Sequence, residues 1–220
     1  MEKATEKAAK GITKEKLQLQ YMEYMLLQEK TPTSVFAFTR AIKIREADFY
    51  KHYNSFRSLE GDIWKTWFED TLEVLHNDKQ YPQYSVREKM LSFYYTWLEI
   101  LAKNRSYVLM KFEKMTSQDL NPAFLAPLKE TFKDYVNNLL MEGKDTAEIA
   151  DRRISTQYDK GFWIQLMFVT RFWANDDTSG YEQTDAAIEK AVNFSFDLVA
   201  RGPLDSFLDL AKFLYQTKKI

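Results

Sequence analysis

The chain has 220 residues, a formal net charge of −1, 45% apolar residues and no cysteine, enough apolar material for one large domain or two small ones. The near-neutral balance excludes a generally basic nucleic-acid coat and an acidic disordered tail. The missing cysteines exclude disulfides, thiol nucleophiles, zinc ribbons and iron–sulfur clusters, and suit a reducing compartment.

Sixteen Phe, 13 Tyr and 5 Trp against 6 Gly and 5 Pro predict long helices around a bulky interior. Apolar residues recur at helical spacing along almost the whole chain, with no run of strict alternation, so an all-α fold of nine or ten helices is expected. Residues 1–12 are charged, lack the apolar run of a secretory signal and read as a solvated extension. Leu17, Tyr21, Tyr24 and Met25 form one face of a first helix over 13–30, broken by Thr31-Pro32. Short helical pieces fill 34–53, and a longer helix over 58–76 is ended at Tyr81-Pro82. Ser85 and Glu88 form a capping box for a helix whose Val86, Met90, Phe93, Tyr94, Trp97 and Leu101 make a buried stripe.

A helix over 105–115 follows. Asn121-Pro122 supplies a cap and a first-turn proline for the next one, with Phe124, Leu128, Phe132, Tyr135 and Leu139 on one face and Gly143 as its stop. An aromatic helix over 155–173, a polar loop over 175–180 and a helix carrying Ile188, Val192, Phe196 and Val199 come next. Past Gly202-Pro203, a last helix carries Leu204, Phe207, Leu208, Ala211 and Leu214. The most apolar window, residues 162–174, contains Arg171 and falls short of the roughly 20 residues that span a bilayer. A cytoplasmic protein without membrane insertion is expected.

Residues 34–53, SVFAFTRAIKIREADFYKHY, hold two helical stretches joined at 42–44, too close for a helical hairpin with an ordinary loop. That spacing suits a helix-turn-helix, whose second helix enters the DNA major groove while the first braces it. Ser34 caps the first helix, Phe38-Thr39 lies within it, Ile42-Lys43-Ile44-Arg45 spans the turn, Phe49-Tyr50 ends the second helix, and Tyr53 follows three residues later. In these positions the sequence resembles the N-terminal domain of the TetR family of transcriptional regulators. The family pattern is a capping Thr or Ser, Ile-Ala, Ala-Gly-Val-Ser, Leu-Tyr and a Phe three residues on. Three positions depart from it: the turn glycine is Lys43, the serine that caps the recognition helix is Arg45, and the lysine that meets a phosphate is Phe56.

The resemblance implies a helix-turn-helix DNA-binding domain over 13–57 and a helical ligand-binding and dimerisation domain over 58–220. Some bacterial TetR-like proteins carry a late Asp-x-Ser-Gly-Phe/Tyr-x-x-Thr-Asp motif. Residues 177–185, DTSGYEQTD, are similar to it, and the sequence attaches no mechanism to them.

Residues 1–68 hold 12 Lys and Arg against 9 Asp and Glu, or +3, which leaves −4 for the remainder. The sign suits an N-terminal DNA reader, and its small size predicts a shallow salt dependence. With Ser34 as helix cap, Arg40, Lys43, Arg45 and Lys51 are the candidate cations on DNA. Tyr50 is a candidate hydroxyl donor to a phosphate, as its matching family tyrosine implies. Glu46, Ala47 and His52 lie on the expected groove face, where Glu46 would accept from a cytosine amino group. Phe49, Tyr50 and Tyr53 also read as core anchors.

The TetR-like architecture further implies a small molecule held between the C-terminal helices. Tyr94, Trp97, Met110, Phe112, Phe132, Tyr135, Trp163, Met167 and Phe168 offer rings and thioethers to an apolar or aromatic ligand, and the same stripes read as plain core. Few ionisable groups interrupt them, which points to an uncharged or long-chain ligand. For a twofold four-helix interface the candidates are Phe162, Leu166, Val169 and Trp173 with Ile188, Val192, Phe196 and Val199; these would equally close the monomer core. His52 and His76 fit no metal-binding spacing, and neither a phosphate loop nor a nucleophile elbow occurs in the sequence; Glu73-x-x-His76 occurs once, without the second Glu-x-x-His that a di-iron bundle needs. Neither catalysis nor a cofactor is expected.

The expected function is a homodimeric, ligand-responsive TetR-type regulator, a repressor, on a double-stranded DNA operator. The alternative is a TetR-shaped protein that no longer binds DNA and holds a lipid or quinone, similar to the lipid-binding accessory protein of ubiquinone biosynthesis. A purely structural helical partner is a third reading.

Overall fold

The computed structural model of the protein describes residues 12–113, 115–116, 119–149 and 158–201. Among these are nine α-helices, three short 3-10 turns and no strand. The chain divides into two compact units, with the boundary between Ile63 and Trp64.

The first unit contains α1 (Lys14–Gln28), α2 (Val35–Ala41), α3 (Glu46–Tyr50) and the opening turns of α4 (Phe56–Asn77). Each start has a local cause. Thr13 Oγ1 accepts from the Lys16 amide at 3.3 Å and Ser34 Oγ from the Ala37 amide at 3.1 Å, satisfying donors that a helix N-terminus leaves unpaired. Ahead of α4, Ser55 and Ser58 exchange bonds, each backbone amide donating to the other's hydroxyl at 3.1 Å. Phe38 is fully buried and meets Tyr21, Tyr24, Phe49 and Phe56 edge-on at centroid distances of 5.7, 5.6, 6.3 and 5.6 Å, a favoured arrangement of ring quadrupoles.

A polar network ties α1, α4 and the turn after α3 together. The Tyr53 hydroxyl donates to Asp62 at 2.6 Å, and Gln18 Nε2 donates to both at 2.9 and 2.7 Å. The Lys14 ammonium closes on the same carboxylate at 2.8 Å. Burial, reinforced by the Asp62 carboxylate, pushes the Tyr53 phenol well above its ordinary range. Helix α3 ends at Tyr50, and the amides of His52 and Tyr53 both turn back to the Phe49 carbonyl at 3.0 Å.

The second unit continues α4 from Trp64 and adds α5 (Val86–Ala102), α6 (Arg105–Glu113), α7 (Ala126–Asp145), α8 (Tyr158–Ala174) and α9 (Glu182–Arg201). The capping box at Ser85 and Glu88 is present, and Val86, Met90, Phe93, Tyr94, Trp97 and Leu101 are all buried. Phe93 sits among rings: parallel to Trp97 at 6.3 Å and within 5.0–5.7 Å of Tyr135, Phe132 and Phe68.

Two sequence expectations for α7 are corrected. A 3-10 turn at Ala123–Leu125 precedes it, so Pro127 rather than Pro122 occupies its first turn, and the Asn121 side chain takes the Lys129 ammonium. Gly143 lies inside the helix instead of stopping it. A Cβ there would stand 2.6 Å from Ile149 Cδ1, because the chain folds back and buries Ile149 against α7, and the glycine makes that room. The expected last helix over 204–214, and residues 1–11 of the extension, lie outside the described residues. No helix among the described residues is long and apolar enough to cross a membrane.

Candidate nucleic-acid interface and bundle cavity

The turn between α2 and α3 explains the lost glycine. Lys43 has φ 59°, the left-handed conformation that glycine takes without a steric cost. The surrounding bonds form: the Ile42 amide donates to the Phe38 carbonyl at 3.0 Å and the Ile44 amide to Thr39 at 2.9 Å. The helix-turn-helix backbone therefore persists with a strained lysine. Lys43→Gly is expected to stabilise the first unit by about 0.5–1 kcal/mol, read as a rise in the urea midpoint of α2 and α3 amide protection. An unchanged or lower midpoint would show that the turn carries no strain.

The other two departures are also accommodated. Arg45 stands at the N-cap of α3 without a side-chain cap bond. Its guanidinium instead grips Asp48, with Nε to Oδ2 and Nη2 to Oδ1 each at 2.9 Å, while Lys51 Nζ reaches Oδ1 at 2.8 Å. Hydrogen bonds from Arg45 first and Lys51 second hold the Asp48 carboxyl well below the usual carboxylate range, and Asp48 raises Arg45 in turn. Asp48 was missed by the sequence reading, although the i, i+3 spacings on either side of it were there to be seen. Phe56, in the place of a phosphate-binding lysine, turns into the ring cluster and stacks on Tyr21 at 5.4 Å.

Of the nine candidate DNA-contacting residues, Ser34, Arg40, Lys43, Arg45, Ala47, Tyr50, Lys51 and His52 are exposed, and Glu46 is half-buried. Tyr50 is both anchor and surface group, its ring edge-on to Phe49 at 5.5 Å yet 49% exposed. His52 Nε2 lies 2.8 Å from the Ile12 carbonyl.

In the second unit, most of the proposed pocket residues prove to be packed core. Tyr94, Trp97, Phe112, Phe132 and Trp163 are buried, and their polar atoms are largely spoken for. Trp97 Nε1 donates to Thr170 Oγ1 at 3.1 Å and Trp163 Nε1 to the Leu120 carbonyl at 2.7 Å. Met110 is half-buried, while Met167 and the 48% exposed Phe168 line a separate cavity of about 740 Å³ with Leu120, Arg171 and Asp176. Only Tyr135 of the nine lines the cavity of about 550 Å³ bounded by α4, α5 and α7 and floored by Phe68, Leu72, Tyr81 and Leu139.

That cavity is more ionisable than the stripes suggested. Lys89, 6% exposed, pairs with Glu142 and sits 5.6 Å from the Tyr81 ring centroid, and His76, Glu69 and Asp134 complete the wall. The Tyr135 and Tyr81 hydroxyls meet at 3.1 Å, and burial first, with Tyr81 second, pushes the Tyr135 phenol well up. The Tyr94 hydroxyl is buried with no hydrogen-bond partner among the described residues.

The eight proposed interface residues are corrected as well. Phe162, Leu166, Val169, Trp173, Ile188, Val192, Phe196 and Val199 are all buried within one chain, with Phe162 and Phe196 in edge-on contact at 5.8 Å. The opposite faces of α8 and α9 are exposed instead, carrying Ile164, Phe168 and Phe194 beside Gly161, Ala186, Ala187 and Ala191 along a groove of about 680 Å³. In its wall Gln165 accepts the Ser195 hydroxyl at 2.6 Å, while its buried amide nitrogen has no partner among the described residues.

Residues 89–214, more than half of the chain, match the family described as Tetracyclin repressor-like, C-terminal domain. The chain belongs to the tetracycline repressor-like family. No curated protein matches it. The matched span contains the late motif, and this tetracycline repressor-like chain shows what the motif does. Asp176, just ahead of it and 5% exposed, accepts four bonds: Thr178 N and Oγ1 at 2.9 and 2.6 Å on one oxygen, Thr184 N and Oγ1 at 2.9 and 2.6 Å on the other. It thereby knots the α8–α9 turn and satisfies an early amide of α9. Arg105 braces the same turn, its guanidinium 4.5 Å from the Trp173 ring centroid and 5.1 Å from that of Tyr181, and donates to the Trp173 and Ala174 carbonyls at 3.4 Å.

The bonds from Thr178, then Thr184, lower the Asp176 carboxyl to about 2. An unfolded aspartate titrates near about 3.9, so this contribution is complete above that pH and disappears as acidification approaches 2. Asp176→Asn is expected to flatten the fall of the thermal midpoint between about pH 4 and pH 2; an identical slope in the two proteins would contradict the assignment. Among the described residues, no group of three or more His, Cys, Asp or Glu side chains is placed to hold a metal ion.

Proposed function

We propose that this chain is a homodimeric, ligand-responsive repressor that binds operator DNA through its helix-turn-helix. The observation that carries the reading is Lys43 in the left-handed turn conformation: the backbone that positions a recognition helix is kept at an energetic cost, without the residue that makes it easy. The exposure of eight of the nine candidate contact residues supports it. The ligand would enter the cavity beside Tyr135 and Lys89, which suits an aromatic or apolar body with a polar end. Two chains would meet through the Ile164, Phe168 and Phe194 face. Ligand binding would then shift the population between two dimer states that differ in the spacing of their DNA-binding units.

The test is a gel shift at low salt against a random duplex pool, repeated with Arg45→Ala and Lys51→Ala. Sequence-specific binding that Arg45→Ala weakens and that Lys51→Ala leaves in place, Lys51 being already paired with Asp48, is expected. Phe56, half-buried in the ring cluster where a phosphate-binding lysine would stand, favours the second reading of a lipid or quinone carrier. That reading predicts no DNA binding and lipid co-purifying with the chain.

A further inference from the structure

The geometry points to Asp48 as a specificity-determining positioning residue. It grips one edge of the Arg45 guanidinium so that the other edge is presented to a guanine in the major groove, and it withdraws Lys51 from general phosphate attraction. This rests on the DNA-binding reading above and adds to it how the recognition helix selects a base.

A guanidinium carries five N–H donors in a rigid plane. Asp48 takes two of them, from Nε and Nη2, in a paired contact at 2.9 Å each. Both hydrogens of Nη1 and the second of Nη2 remain, and that edge matches the O6 and N7 acceptors of guanine, the commonest specific contact of arginine in DNA. Arg45 precedes the first turn of α3, and N-terminal residues of a recognition helix are those that reach base edges. Its side chain is 77% exposed, so nothing covers the free edge, while the Asp48 side chain is only 11% exposed and its carboxylate is fixed.

An exposed arginine otherwise gives up rotamer entropy when it is fixed on a base; here the fork is already held in the free protein. Charge adds a second argument. Over 45–52 the formal charges of Arg45 and Lys51 cancel those of Glu46 and Asp48, and Lys51 is committed to Asp48 at 2.8 Å. The segment discriminates by the shape of a donor edge more than by attraction to the backbone.

The experiment uses the full chain and two duplexes, one selected by the wild-type chain from a random pool and one scrambled to the same composition, with affinities measured over a salt series. For Asp48→Ala, preference for guanine at one position of each half-site is expected to fall about tenfold or more. Affinity for the scrambled duplex should rise, with a log–log salt slope steeper by about one to two per chain as two cations are released to phosphates. Arg45→Ala should lose the same guanine preference, and the double variant should lose nothing further.

Asp48→Asn, of the same shape without the charge, gives the same readout if the alanine variant fails to fold. A variant that keeps both the wild-type guanine preference and the wild-type salt slope overturns the assignment. So does one that loses specific and scrambled binding equally at an unchanged unfolding midpoint. If the wild-type chain selects no sequence, the DNA-binding reading falls and this one falls with it; selection that survives in Asp48→Ala removes only the role of Asp48.

Discussion

Phe38→Ala is expected to destabilise the first unit by about 3–5 kcal/mol and to abolish sequence-specific DNA binding. Phe38 is fully buried and is the common partner of four rings contributed by α1, α3 and α4. Truncation removes the ring's transfer free energy and leaves a cavity between rigid aromatic faces that cannot collapse into it. A unit of this size buries a modest share of its surface, so its stability lies at the low end of the usual range of about 5–15 kcal/mol. A loss of that size detaches α2 and α3 from the rest. Hydrogen exchange of the α2 and α3 amides measures it directly. Tryptophan fluorescence follows the second unit separately, since all five tryptophans lie at position 64 or beyond. Unchanged protection of α2 and α3 would refute the central role given to Phe38.

Phe168→Glu is expected to turn the proposed dimer into a monomer, raising the dissociation constant about 100-fold or more, because an unpaired carboxylate would be buried at the centre of the proposed interface at a cost of several kcal/mol. Phe168 is about half exposed in the single chain, one helical turn from Ile164 and on the same groove as Phe194, so the substitution leaves the monomer core intact. Phe162→Glu is the contrasting case. That side chain is 2% exposed and packs on Phe196, and its replacement should unfold the second unit instead of dissociating it. Light scattering at micromolar concentration, paired with a thermal melt of each variant, separates the two. A wild-type mass for folded Phe168→Glu would remove this face from the proposed dimer.

The contrast between Phe162 and Phe168 also marks where sequence reasoning stops. Helical spacing brings out any apolar stripe, and α8 has two: Phe162, Leu166, Val169 and Trp173 turn inward, while Ile164 and Phe168, also four apart, turn outward. Periodicity gives the existence of each stripe but not which one a neighbouring helix will cover. Capping at Ser34 and at Ser85 with Glu88 was legible because it depends on residues three apart along the chain. The cavity beside Lys89 was not, because α4, α5 and α7 bring its walls together from distant segments.

The turn was half legible. Its register could be read from Ser34, Phe49, Tyr50 and Tyr53, whereas the left-handed backbone at Lys43 is a property no lysine advertises. The family match covers residues 89–214, beyond the helix-turn-helix where short motifs carried the resemblance. A bundle's family character is spread thinly over packing positions of several helices.

The knot at Asp176 also fastens the α8–α9 hairpin at one end. A pair of helices fastened at one end behaves as a lever with its pivot there. Phe162 lies twelve residues before the pivot end of α8 at Ala174, or about 18 Å along the axis. A tilt of about 5° therefore swings Phe162 by about 1.5 Å over that length, while Trp173, held under Arg105, scarcely shifts. With that end fixed, the angle between α8 and α9 is set at the Asp176 knot, and any error in it grows with distance from the turn.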